Sequence, residues 1–157
     1  MAKQSGIDLP NFVDGIDNPL FPLEPGTTFT YESKSPDGEI LERVETTVTQ
    51  ETKEILGVTC VVVDDKTFDA NGNLLESTLD YFAQDEVGNV WYFGEDTRSF
   101  EDGHVSKEGS WLAGKHVPGG EIAEPGIIML ASPEKGDFYK QELAPGVAED
   151  EATVAKV

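Results

Sequence analysis

Apolar and polar residues alternate with a period of two over much of the chain. Successive side chains of a β-strand point to opposite faces, so this alternation predicts strands that are buried on one face. In residues 40–49, Ile40, Val44 and Val48 share one parity, which we expect to face inward. Residues 58–63 are almost continuously apolar and predict a well-buried strand. The predicted strands are at residues 27–33, 40–49, 58–68, 74–84 and 90–94, followed by a hairpin formed by residues 99–100 and 104–107. A further strand is predicted at residues 137–143, and residues 151–157 are expected to begin another.

Tight turns separate these strands at intervals of about ten residues. In the turn at residues 35–38, Pro36 presets φ and Gly38 admits a positive φ. Residues 69–73 contain an Asn-Gly pair, which is a strong hairpin signal. No helical segment is visible between the strands, as a parallel sheet would require. The pattern therefore predicts an all-β antiparallel meander of about seven to nine strands. We expect it to curl into a barrel or half-barrel, lipocalin-like or similar, with little helix.

Prolines and glycines set the two ends of the chain apart from this meander. Residues 1–26 contain four of the nine prolines, and we expect an extended Pro-rich segment rather than a helix or a central strand. Its apolar side chains should cover one end of the core: Phe12, Leu20, Phe21 and Leu23. Residues 113–125 are rich in Gly and Pro and predict a loop. Nothing indicates a domain boundary, so residues 1–157 are predicted to form a single β-domain.

Acidic residues outnumber basic ones by 31 to 11, which gives a net charge of −20. Nucleic acid is excluded as a partner, because phosphate binding needs clustered Lys and Arg. The same reasoning argues against an anionic membrane surface, and no segment has the apolar length of a membrane span. The charge is explained by solubility; alternatives are a salty habitat and a surface that attracts cations.

Metal and cofactor sites are not predicted. Cys60, the one cysteine, lies in an apolar run and is interpreted as a small buried hydrophobe. His104 and His116 match no compact metal-binding spacing. Residues 69–73 superficially resemble a calcium loop, but the positions of Gly and Glu that such a loop requires are not met. We therefore expect no metal and no cofactor.

An aromatic belt is the strongest candidate for a functional site. Its rings should lie on neighbouring strands with polar groups among them, and small β-barrels hold ligands in such ring-lined cavities. The alternative is that the aromatic residues simply form the core. The predicted ligand-binding residues are Tyr81, Gln84, Trp91, Tyr92, Glu95 and Trp111.

Three function classes follow from this belt. The first is a non-catalytic binding domain that holds a small apolar or amphipathic molecule in the aromatic-lined cavity. The second is a hydrolase or isomerase that uses carboxylates in the same cavity, although no catalytic residue is distinguished among so many acidic ones. The third is a structural or assembly module with no ligand. No nucleophile elbow, phosphate-binding loop or metalloprotease motif is present.

Several segments of the chain are also similar to those of a known group of proteins. The segments are residues 18–28, 83–85 with 88–95, 109–111, 125–129, and 141–142 with 144–150. In these segments the chain resembles a group of uncharacterised bacterial β-rich proteins that are typically exported and have no assigned activity. The resemblance implies a secreted or periplasmic protein, although the start of the chain has no apolar signal core and a cytoplasmic location stays open.

The resembling proteins continue with further strand-like sequence where this chain ends. We therefore expect an unpaired edge strand near residues 154–157, and either a weak homodimer formed through that edge or a monomer in which the edge is covered.

Overall fold

A computed structural model describes residues 6–157, in which twelve β-strands and no helix are present. The predicted all-β class is confirmed. The strands are β1 (Phe12–Val13), β2 (Thr28–Lys34), β3 (Ile40–Ile55), β4 (Val58–Asp69), β5 (Leu74–Asp85), β6 (Val90–Glu101), β7 (His104–Ser106), β8 (Trp111–Leu112), β9 (Glu124–Met129), β10 (Phe138–Lys140), β11 (Glu142–Leu143) and β12 (Glu151–Thr153).

The main sheet is an antiparallel meander that forms a curled half-barrel, as expected. Its strand order is β11-β9-β6-β5-β4-β3-β2. Consecutive strands from β2 to β6 are therefore neighbours in space. Strand β1, from the Pro-rich segment, pairs with the end of β5, where Phe12 lies opposite Asp85.

The outer edge of β6 is covered by three short strands in succession. Strand β9 pairs with residues 90–92, β8 with residues 94–95 and β7 with residues 99–101. Of these, β7 and its partner residues form the predicted hairpin. The twelve strands exceed the predicted number mainly because other short strands, such as β1, β8 and β9, leave no periodic pattern in the sequence. The predicted loop at residues 113–125 ends slightly early, since β9 begins at Glu124. Within the loop, His116 forms an isolated bridge with Ile122.

The end of the chain departs from the expected edge strand. Strand β12 pairs with β10 in a separate two-stranded sheet, and Val154 donates a backbone hydrogen bond to Asp137. Residues 154–157 are therefore not an edge of the main sheet. In the described part of the chain, the long strand at the end of the main sheet is β2, whose neighbour is β3.

One end of the sheet, which we call the packed end, is covered on both faces by apolar side chains. It comprises residues 81–85 of β5 and 90–93 of β6. The Phe12 ring lies 5.4 Å from Phe93 on one face, and the Phe21 ring lies 5.4 Å from Phe82 on the other. Leu20, in contrast, is 52% exposed, so the expectation that it covers the core is wrong. It lies in a turn, where its neighbours Asn18 and Phe21 are held instead.

The side chains of β3 that were predicted to face inward are buried only near the packed end. Val48 is fully buried and Val44 is half-buried, but Ile40 is 43% exposed. Likewise, residues 60–63 of β4 are buried next to the packed end, whereas residues 64–69 are only half-buried. The core is therefore concentrated at one end of the half-barrel, and the other end of the same strands is open to solvent.

Candidate functional site

A groove of about 390 Å³ lies on one face of the sheet, next to the packed end. Its volume lies within the range of small-molecule sites. Five of its lining residues are carboxylates, and no Lys, Arg or His is among the lining residues that the structure describes. The lining residues are Val44, Asp65, Thr67, Glu76, Thr78, Asp80, Tyr92, Glu95 and Glu142.

The antiparallel register explains why these side chains meet. Residues directly opposite each other on neighbouring strands point to the same face of a sheet. Asp80 of β5 lies directly opposite Glu95 of β6, so these two carboxylates are cross-strand neighbours. Three such rows cross the strands: Val63, Asp80 and Glu95; Thr46, Asp65, Thr78 and Thr97; and Val44, Thr67, Glu76 and Ser99.

A β-bulge in β6 brings Tyr92 to the same face as Glu95. Residues three apart in a regular strand point to opposite faces. Here Tyr81 pairs with Gly94, but the next residue of β5, Phe82, pairs with Tyr92, so Phe93 is the extra residue of the bulge. Gly94 has φ of +140°, and a Cβ there would lie 2.3 Å from the Trp111 carbonyl oxygen. The bulge therefore requires glycine at this position.

Asp80 is the most constrained carboxylate of the groove. The Tyr92 hydroxyl donates a hydrogen bond of 2.6 Å to Asp80 Oδ1. Burial raises the pKa of Asp80 to about 7, and the hydrogen bond from Tyr92 only partly opposes this effect. The negative charges of Asp65 and Glu76 raise it further. The Asp80 carboxyl group therefore titrates near neutral pH.

Two further carboxylates of the groove have raised pKa values. Burial, followed by the charges of Asp80 and Glu142, raises the pKa of Glu95 to about 8. Burial and the neighbouring Asp150 raise the pKa of Glu142 to about 7. The pKa of Asp65 is also raised, mainly by burial. Since these groups raise one another's pKa, their titration is shared rather than independent.

Lys66 of β4 and Arg98 of β6 lie on the opposite face of the sheet. Side chains adjacent in sequence to groove residues point away from the groove. Lys66 Nζ lies 2.7 Å from Asp64 Oδ2, and Arg98 and Lys107 both approach Asp96, at 4.0 and 3.9 Å. Carboxylates on that face thus have cationic partners, whereas the groove has no cation among the lining residues that residues 6–157 provide.

Two of the six predicted site residues, Tyr92 and Glu95, line the groove. Trp111 lies directly opposite Glu95 on β8 and is buried with its ring 5.3 Å from that of Tyr92. Its Nε1 is buried without a hydrogen-bond partner in the described part of the molecule. Trp111 therefore packs against the Tyr92 ring and is not one of the residues that line the groove.

The other three predicted residues belong to the packed end. Tyr81 points to the opposite face, where Lys53 Nζ lies 5.6 Å from its ring centroid. Trp91 Nε1 donates a 2.9 Å hydrogen bond to Asp85 Oδ2. Gln84 Oε1 accepts hydrogen bonds from the backbone N–H groups of Asp17 and Asn18. These side chains hold the Pro-rich segment and a hairpin turn in place.

Of the groove carboxylates of β4 and β5, the sequence places only Asp80 among the polar groups of the aromatic belt, and it does not assign Asp65 or Glu76 to a site. The available signal is parity: Glu76, Thr78 and Asp80 are polar at alternate positions, as are Asp65 and Thr67 of β4. Alternate polar residues ordinarily indicate the solvent face of a strand, so nothing in the pattern marks this face as the lining of a groove.

The described residues include no group of three or more His, Cys, Asp or Glu side chains arranged to hold a metal ion. His116 Nδ1 lies 2.9 Å from the Gly120 carbonyl oxygen within its own loop. Cys60 is buried, and burial raises the pKa of its thiol to about 12. Such a thiol is a poor nucleophile at neutral pH.

Comparisons with protein-family models, with curated proteins and with solved structures find no match for this chain. Within residues 6–157, no helix has the length and hydropathy needed to cross a membrane.

Proposed function

We propose that this protein is a binding domain that holds a small amphipathic cation in the acidic groove. The observation that carries the proposal is the segregation of charge across one sheet. Five carboxylates line the groove on one face with no basic residue among the lining residues of the described chain, while Lys66, Arg98 and Lys107 pair with carboxylates on the other face. A bound cation would supply the missing counter-charge.

The lining also favours a ligand with an apolar part. Tyr92 and Val44 line the groove together with its carboxylates, and they offer apolar surface. Thr67 of β4 and Thr78 of β5 also line the groove, and they offer hydroxyl groups. An ammonium group among Asp80, Glu95 and Glu142, with its alkyl part against Tyr92, satisfies both parts of the lining.

A purely apolar ligand is less favoured by the geometry. Phe82, Tyr92 and Trp111 pack against one another with ring centroids 5.0 and 5.3 Å apart, which is ordinary aromatic packing. These rings fill the packed end instead of surrounding a space. The ligand proposed from the aromatic belt is therefore narrowed to an amphipathic one whose charged end is positive.

Isothermal titration calorimetry tests the proposal with butyltrimethylammonium, a permanent cation, and with hexanol, a neutral molecule of similar size. We expect the cation to bind and the alcohol to bind much more weakly at about pH 9, where the groove carboxylates are ionised. Because the probe does not titrate, any change in its affinity with pH reports on the protein. Affinity should fall as the pH is lowered through 8 and 7.

Two charge-removing variants supply the matched pair for this experiment. Glu95→Gln should weaken binding of the cation by about three- to tenfold, because it removes one carboxylate of the groove. Glu54→Gln, at an exposed position outside the groove, removes the same charge and should leave the affinity unchanged. Equal effects of the two variants, or equal binding of hexanol, would show that the groove does not select cations.

An acid–base enzyme is the second candidate, favoured by the facing pair Asp80 and Glu95. Two cross-strand carboxyl groups with pKa values near neutrality suit the roles of general acid and general base. A panel of nitrophenyl esters and glycosides tests this class. A turnover that follows a bell-shaped pH profile and is lost in Asp80→Asn supports an enzyme. Native mass spectrometry that recovers the butyltrimethylammonium probe intact, with no turnover of any ester or glycoside, supports the binding domain.

We also propose a secreted or periplasmic bacterial location, which rests on the resemblance of residues 18–28 and 88–95 to exported proteins. The high negative charge supports a protein that does not bind nucleic acid. Fractionation of the source cells tests the location, and recovery of the protein only with the cytoplasm would contradict it.

A further inference from the structure

Strand β2 has an uncovered long edge. It pairs with β3 on one side, and the main sheet, as described over residues 6–157, has no strand beyond it. Six of its seven residues are exposed. Alternate backbone N–H and C=O groups of an edge strand point outward without partners, and this makes it a template for another strand.

The side chains of β2 suit pairing with themselves. In an antiparallel register centred on Tyr31, Tyr31 lies opposite its own copy, Thr30 opposite Glu32, and Phe29 opposite Ser33. No two charged residues are opposite each other in this register, and the central pair is aromatic, which favours cross-strand contact. Tyr31 is 57% exposed. This exposure is large for an aromatic side chain on β2, because the neighbouring strand β3 contributes Val48 to the core.

The same face of β2 continues the wall of the groove. Tyr31 lies directly opposite Val44, which lines the groove, so both side chains point to the groove face. A second strand added to β2 would therefore continue the sheet beside the groove. In a two-fold arrangement the grooves of both copies would lie on one side of a continuous sheet.

We propose that two copies of this chain associate through antiparallel pairing of their β2 strands, in a register centred on Tyr31. The irregular end of the strand does not prevent this, because the bulge between Ser33 and Lys34 lies beyond the central residues. This association does not depend on the ligand proposed for the groove.

The net charge of −20 opposes association, but its effect depends on salt. Repulsion between surface charges is screened beyond about 8 Å at physiological ionic strength. Backbone hydrogen bonds and the contact between the two tyrosine rings act at short range and are not screened. The dimer should therefore strengthen as salt is added, which distinguishes strand pairing from an interface built on ion pairs.

A single introduced cysteine tests the register. Cys60 is buried with a raised pKa, so a new surface thiol is the reactive one. Tyr31→Cys should form a disulfide-linked dimer rapidly in mild oxidant, because the two copies of residue 31 are opposite each other. Val87→Cys, at a 78% exposed position in a distant turn, is the control and should cross-link only at the slow rate of random collision. Equal rates would overturn the proposed register.

Sedimentation velocity of charge variants tests the interface itself. Wild-type protein at high salt should sediment as a monomer–dimer mixture at concentrations well above micromolar. Tyr31→Asp should raise the dissociation constant of the dimer at least about tenfold, since it places two carboxylates opposite each other. Val87→Asp adds the same charge elsewhere and should leave the mixture unchanged. A wild-type protein that is monomeric at all salt concentrations, or a dimer that persists in Tyr31→Asp, would overturn the proposal.

Discussion

The two ends of the same sheet differ in the side chains that they bring together. At the packed end, β5 and β6 carry Phe82 and Phe93, and both faces are covered by rings from the Pro-rich segment. A few residues further along the same strands, Asp80 and Glu95 face each other in the groove. One end gains stability from burial, and the other loses some of it by bringing carboxylates together. The groove carboxylates therefore lower the stability of the folded protein, and functional sites typically carry such a cost.

The hairpin turns at the two ends provide a second contrast. Asp69 and Asp85 each begin an Asp-x-x-Gly-Asn turn, and each carboxylate accepts hydrogen bonds from backbone N–H groups of its own turn. These hydrogen bonds help to lower the pKa of both carboxyls. Only Asp85 also accepts from the Trp91 indole, which ties its turn to the packed end. The same local sequence thus leaves the Asp69 side chain near the surface in one turn and buries the Asp85 side chain in the other.

Truncation of the packed end should have the largest effect. Phe93 is fully buried, and Phe93→Ala should lower the free energy of unfolding by about 3–5 kcal/mol. Leu75→Ala, near the open end, should change it by less than about 0.5–1 kcal/mol, because Leu75 is 36% exposed. Urea denaturation of both variants measures the difference. Similar losses would show that the core extends along the whole sheet.

The groove should make the protein less stable at high pH. The pKa values of Asp80, Glu95 and Glu142 are raised to about 7 or 8 in the folded state, from about 4 when unfolded. Their contribution is therefore fully present below about pH 4 and is lost as the pH rises through 7 and 8. We expect the free energy of unfolding to fall by about 2–4 kcal/mol between about pH 5 and pH 9, a value reduced because solvent screens these half-exposed groups.

Urea denaturation over this pH range, repeated at high salt, checks the prediction. Salt weakens the repulsion between carboxylates but does not remove the cost of burying them, so part of the loss should persist. A free energy of unfolding that is constant or rises between these pH values would contradict the assignment of raised pKa values.

The two turns should respond unequally to the same substitution. Asp85→Ala should cost about 2–3 kcal/mol, since it leaves several partly buried N–H donors, including the Trp91 indole, without an acceptor. Asp69→Ala should cost less, because water replaces the lost acceptor at an exposed turn. Thermal or urea denaturation measures both, and a larger loss at Asp69 would overturn the comparison.

Removal of one groove charge should stabilise the protein at high pH. Asp80→Asn retains an oxygen that can accept the Tyr92 hydrogen bond but cannot ionise. It should raise the free energy of unfolding by about 1–2 kcal/mol at about pH 9 and leave it nearly unchanged at about pH 5. Glu54→Gln is the matched control and should show no such dependence on pH. Destabilisation by Asp80→Asn at high pH would mean that the ionised carboxylate is stabilised by a partner.

Local chemistry made much of the fold predictable. Period-two alternation and the turns at residues 35–38, 69–73 and 85–89 determine β2 to β6, because each signal acts between neighbouring residues. Of the three short strands at the edge of β6, β7 was predicted as part of the hairpin of residues 99–100 and 104–107. Strands β8 and β9 were not predictable as partners of β6, since their pairing depends on contacts between distant segments. Leu20 was misassigned for the same reason.

The groove was only partly predictable, and the bulge explains why. Tyr92 and Glu95 are three residues apart, a spacing that normally places side chains on opposite faces. They share a face only because Phe93 is an extra residue in β6 and Gly94 admits the contact with β8. Asp80 gives no sign of its burial in a single sequence, because its neighbours across the strands become known only with the register.

The central claim is that the groove carboxylates have no cationic partner within residues 6–157, and a carbon-13 NMR titration of the side-chain carboxyl groups tests it most directly. The assigned carbons of Asp80 and Glu95 should titrate near pH 7 and pH 8, and the assigned carbon of Asp85 should titrate below its ordinary range. Addition of butyltrimethylammonium should shift the first two midpoints to lower pH and leave Asp85 unchanged. Midpoints of Asp80 and Glu95 near pH 4, like those of exposed carboxylates, would contradict the account.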